Sequence, residues 1–138
     1  MQVKNGVIAV AAAVAGLLGG WDMALRVLVG FMAVDYGTGL VVGLCGRSPK
    51  TGGGRLSSRA GFLGLARKGG ILLLVLLATL LDGVTGSGFI RTAVCFFFIA
   101  NEGLSILENL GLMGVRYPRF LREMLEVMGE DADKGKGA

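Results

Sequence analysis

The side chains best suited to chemistry sit in one largely apolar stretch, Phe96 to Gly111, which reads FFFIANEGLSILENLG. On a helix turning about 100° per residue, Asn101, Glu102, Ser105, Glu108 and Asn109 fall within an arc of roughly 120°. Paired carboxylates can do acid-base work, but Glu102 and Glu108 are separated by about 120° around such a helix. The chain has no histidine. No nucleophile with a base and no metal-ligand set accompanies the two acids, so the pattern points away from an enzyme and calls for no cofactor or metal. What the arc can do is bind water or a second helix. The rest of the surface, with Phe96, Ile99, Leu104 and Leu107, suits lipid or apolar helices.

Composition says where such a helix belongs. Hydrophobic residues make up 53% of the 138 and charged residues 17%, with a mean hydropathy of +0.67, more apolar than a soluble core requires. An all-α membrane protein is expected, with three to four transmembrane helices and a C-terminal amphipathic helix. Cys45 and Cys95 both lie in apolar runs and read as small apolar fillers, without a disulfide or a zinc site.

Four spans are predicted, near residues 6–21, 27–45, 69–88 and 91–112, within a membrane domain covering 1–116. The first is barely long enough to cross, given the roughly 17 residues a span needs as a minimum. Lys4 and Ala13-Val14-Ala15 give it some likeness to a cleavable leader, but its core is weakly apolar. Ala12, Gly16 and Gly20 form a small-residue ridge along it. In the second span Asp35 lies near the centre, where an aspartate costs about 2.5–3.5 kcal/mol. It must face the bundle interior, find a donor or be protonated. Gly39 and Gly43 share its side, which marks a helix interface. Two roles stay open for Asp35, fixing helix register and lining a pore.

Residues 46–68 form a basic cytoplasmic loop with Arg47, Lys50, Arg55, Arg59, Arg67 and Lys68 and no acid. Its Gly52-Gly53-Gly54 run lacks the spacing of a phosphate-binding loop and reads as a linker. Ser57 or Ser58 could cap a helix leading into the third span, bringing Arg67 and Lys68 to anionic head groups. Asp82 closes that span. With both termini in the cytoplasm, 12 of the 14 Lys and Arg residues are inside and only Arg26 and Arg91 outside, the asymmetry expected of membrane orientation. A three-span layout is the rival. Residues 117–129 read as an amphipathic helix that either lies on the inner leaflet or pairs with a copy of itself, and 130–138 as a disordered tail.

Asn101-Glu102, Ser105 and Glu108-Asn109, followed by Gly114 and Pro118, resemble the shared block of the phage lysis and toxin-secretion holin family, which includes the holin encoded beside clostridial large toxins. Asp35 with Thr38-Gly39, Ser57-Ser58 followed by Gly61, Gly64 and Lys68, and Asp82 resemble it too. The likeness runs from about Val27 to Met128. It implies a homo-oligomer in the bacterial cytoplasmic membrane that opens lesions for a lysis enzyme (endolysin) or a large toxin, a cargo it need not bind. Nucleic acid is not an expected partner. The competing reading of the same polar arc is a membrane-embedded interaction protein or transporter subunit of fixed stoichiometry.

Overall fold

The computed structural model describes residues 1–136, which form five helices and no strand. These are α1 (Gln2–Leu17), α2 (Met23–Leu44), α3 (Ser58–Thr85), α4 (Phe89–Leu112) and α5 (Arg119–Asp133). The expected all-helical class is met. α2, α3 and α4 are long and apolar enough to cross a membrane. α1 is apolar too, but its 16 residues extend only about 24 Å.

Local chemistry sets the helix ends. α1 starts and stops four residues earlier than its predicted span because Gly19 and Gly20 follow it at φ +94° and +105°, a region that side-chain-bearing residues rarely enter. Asp22 then caps α2, its carboxylate accepting from the Leu25 N–H at 3.0 Å. Ser57 does the same for α3 through the Ala60 N–H at 3.4 Å. Residues 58–68, assigned to the basic loop on charge, are therefore the opening turns of α3. The chain's two prolines, Pro49 and Pro118, both lie outside this helix, so nothing interrupts it before Gly86. α5 begins after Pro118 and runs through residues 130–133, which were expected in the tail. Residues 137 and 138 of that tail lie outside the described residues.

α4 is the hub, packing against α2, α3 and α5, while α2 and α3 barely touch each other. α2 and α4 run parallel and α3 antiparallel to both, as follows from their paired ends. The core is built from Leu25, Leu28 and Met32 of α2, Val75 of α3, and Cys95 and Ile99 of α4. Cys95 is thus the apolar filler its sequence context suggested. Cys45 is not: it is exposed at the end of α2. α1 buries no residue of its own. The outward face of α3 leaves Leu73, Leu77 and Leu80 more than half exposed, a surface fit for acyl chains and not for water.

Candidate functional site

Halfway along the bundle, all three long helices contribute to one polar network. Lys68 of α3 donates from Nζ to Asp35 Oδ2 of α2 at 2.8 Å and to Glu102 Oε2 of α4 at 2.7 Å. Only 13% of the Lys68 side chain and 9% of each carboxylate is exposed, so the three charges sit in a medium where an unpartnered one would be costly. Asn109, two turns further along the same face of α4, completes the set. Its amide donates to Asp35 Oδ1 at 3.1 Å, to the Asp35 carbonyl at 3.2 Å and to Thr38 Oγ1 at 2.9 Å. Thr38 in turn donates to the Val34 carbonyl of its own helix at 2.8 Å. Among the described residues no buried side-chain nitrogen or oxygen lacks a partner.

The predicted polar arc of α4 is therefore divided by its neighbours. Glu102 and Asn109 are buried and tied to α2 and α3, whereas Asn101 and Glu108 are exposed and Ser105 is half-buried. Asn101 and Ser105 border a cleft of about 800 Å³ between α2, α3 and α4, which Asp35 and Lys68 also line. Gly39 of α2 meets the Asn109 amide, with 3.8 Å to a Cβ placed there, but Gly43 faces Leu56 of the α2–α3 connection instead of a helix. Of the six cations assigned to head groups, Lys68 is drawn inside, and Arg47 donates to the Leu112 carbonyl at the end of α4 at 3.1 Å. Lys50, Arg55, Arg59 and Arg67 make no ion pair among the described residues.

A second polar cluster, which sequence reasoning did not anticipate, sits where α2 and α4 begin. Arg91 of α4 is 9% exposed and grips Asp22 with both terminal nitrogens, at 2.7 and 3.1 Å. The same guanidinium donates to the Leu18 carbonyl at 2.6 Å and the Gly20 carbonyl at 3.2 Å. Both carbonyls lie in the turn that follows α1, where, among the described residues, no backbone N–H is bonded to them. Asp82, the single acid of α3, caps the helix that follows: its carboxylate accepts from the Ile90 and Arg91 N–H groups at 3.1 and 2.9 Å and from Ser87 at 2.7 Å. Gly86, left-handed at φ 72°, makes the sharp reversal that brings Asp82 into reach.

Arg91 holds the Asp22 carboxyl below its ordinary value of 3.8, chiefly through their hydrogen bonds. A carboxylate lowered in the folded state contributes stability above its unfolded value and loses it as pH falls through the folded one. Unfolding in detergent is thus expected to show no loss from this pair between pH 7 and 5 and a loss below the ordinary carboxylate range. An Asp22→Asn variant should be less stable at pH 7 and show a smaller drop on acidification; an identical acid slope in both proteins would exclude the pair as its source.

None of this assembles a catalytic centre. Among the described residues no group of His, Cys, Asp and Glu is placed to hold a metal ion. The network joins helices, and its uncommitted polar groups lie along one flank of α4.

Comparison with known proteins agrees with that character. A family model described as the bacteriophage holin family matches residues 12–130. An uncharacterized protein of Listeria monocytogenes is 38% identical, covering 96% of this chain and 93% of its own. Another, of Clostridium perfringens, is 36% identical over 90% of this chain and 88% of its own. A protein of Bacillus phage phi105 named a probable holin is 39% identical over 57% of this chain and 59% of that one. No solved structure matches. With three helices fit to cross a bilayer and a family match over most of its length, this chain is a membrane protein and belongs to the non-enzymatic bacteriophage holin family.

Proposed function

We propose that the protein acts as a holin: copies accumulate in the bacterial cytoplasmic membrane, associate laterally and open lesions that release a lysis enzyme or a large toxin. The observation that carries this reading is the self-satisfied polar network. Asp35, Lys68 and Glu102 are bonded to one another within one chain and turned away from its surface, so a single copy can wait in lipid without forming a hole. Asn101, Ser105 and Glu108 remain for a sister copy or for water, while Glu102 and Asn109 serve as the contact between helices.

In the waiting state both termini are cytoplasmic and α1 makes the first of four crossings. The exposed cations among residues 47–67 then meet anionic head groups, each contributing about 1 kcal/mol near the surface. The cargo passes through the lesion without a binding site of its own.

Inducible expression in bacteria, with a potential-sensitive dye, tests the proposal. Growth is expected to continue through a lag and then end in an abrupt loss of membrane potential. Sustained growth at high protein level would instead favour an interaction protein or transporter subunit of fixed stoichiometry.

A further inference from the structure

α5 presents three stripes, where a surface-lying amphipathic helix has two. At about 100° per residue, Leu125, Met128, Gly129 and Ala132 share the side docked on α4. A second stripe, about 80° wide, holds Arg119, Glu123, Glu126, Glu130 and Asp133. The third, centred about 110° from the second, exposes Phe120, Met124 and Val127, with Asp131 at its far end. Each of those three apolar side chains is more than half exposed.

The docked side reaches deep along α4. A Cβ at Gly103 would come within 2.9 Å of the Leu125 methyls, and one at Gly129 within 3.2 Å of the Ala100 Cβ. Ala100 precedes the end of α4 at Leu112 by twelve residues, about 18 Å of helix, and the hydrocarbon core is about 30 Å thick. If α4 crosses the bilayer, the end of α5 lies beyond its midplane. The charged stripe contains one arginine and four carboxylates, with Arg122 at its edge. Arg119 pairs with Glu123, and Arg122 with Glu126, each at 3.0 Å. Glu130 and Asp133 are in no ion pair among the described residues. Acyl chains against that stripe would cost about 2.5–3.5 kcal/mol per charge at the centre. Water there costs nothing of the kind.

From this geometry we infer that α5, docked on α4, forms the aqueous wall of the lesion, its acidic stripe and the end that carries Asp131 turned to water, and Phe120, Met124 and Val127 turned to lipid. The inference rests on the proposed function and assigns the wall to a helix whose sequence suggested only a surface or pairing role. Full-depth docking of α5 is then a property of the open assembly, because a closed bilayer has no water at that depth for the stripe to face.

A lock on the docked state tests it. Ala100→Cys with Gly129→Cys, in a Cys45→Ser background, places two thiols at a Cβ separation a few tenths of an ångström below the roughly 3.5–4.5 Å of a disulfide, so a small shift of α5 closes the bond. In proteoliposomes loaded with dye, the oxidised protein is expected to release dye within about twofold of its reduced form. Nitroxides at Glu126→Cys and Val127→Cys, each introduced singly, should collide with a water-soluble nickel complex and with oxygen, respectively. Loss of release on oxidation, restored by reductant, would overturn the inference and show that α5 must leave α4. So would a label at Glu126 that contacts only lipid. If the unmodified protein releases no dye, lesion formation itself fails and the wall assignment falls with it, an outcome distinct from a lock that blocks a working protein.

Discussion

Lys68→Met is expected to destabilise the protein by about 3–5 kcal/mol, because it leaves two buried carboxylates facing each other without their cation. Asp35 keeps the Asn109 amide as a donor, but Lys68 supplies the side-chain hydrogen bond to Glu102. The change should appear as a lower thermal midpoint in detergent and reduced accumulation in the membrane. Glu102→Gln behaves differently. It retains a carbonyl acceptor for the ammonium and leaves one carboxylate against one cation, so the expected cost is about 1 kcal/mol or less. Adding Asp35→Asn and Glu102→Gln to Lys68→Met should recover most of the lost stability, since a neutral, hydrogen-bonded set no longer carries unpaired charge. A triple variant as unstable as the single one would mean that packing of the lysine stem, and not charge, sets the effect.

Arg91→Met should cost about 2–4 kcal/mol, chiefly by stranding the Leu18 and Gly20 carbonyls that the guanidinium now satisfies. The loss of the Asp22 pair contributes the smaller part, because that carboxylate is 50% exposed and water partly replaces its partner. Arg91→Lys is expected to fall between the two, as an ammonium cannot hold the fork and two carbonyls together. Gly19→Ala should reproduce the defect from the other side: a Cβ there collides with the Arg91 guanidinium, at a backbone angle unfavourable to alanine. Detergent unfolding of the three variants supplies the comparison. An Arg91→Met protein as stable as the parent would show that water enters the turn and takes over its carbonyls.

Much of the helical architecture could be read directly from the chain, because runs such as Ile71 to Leu81 are too apolar for anything but a membrane or a core. The importance of Asp35 and Glu102 was legible for the same reason: a carboxylate in such a run demands a partner. Its identity was hidden by context. Lys68 closes a series of six cations that together read as a topology signal, and only the continuation of α3 through residues 58–68 turns it inward. A stricter reading would have noted that Lys68 adjoins the apolar run and carries the charge the two acids lack. Arg91 was harder to place, since its acceptors at Leu18, Gly20 and Asp22 are 69 to 73 residues away. The docking of α5 left only the small residues Gly103 and Gly129 as clues, and each by itself fits many explanations.

The two polar clusters lie about 17 Å apart along α4, the rise of the eleven residues from Arg91 to Glu102. Each fixes how far α2 and α4 can slide past one another and how far either can roll. A shift of one helical turn, about 5.4 Å, would break both sets of bonds together. The central trio therefore moves as a rigid stave, and any large rearrangement on assembly falls to the helices outside it: α1, which buries no residue, and α5, which docks chiefly on α4.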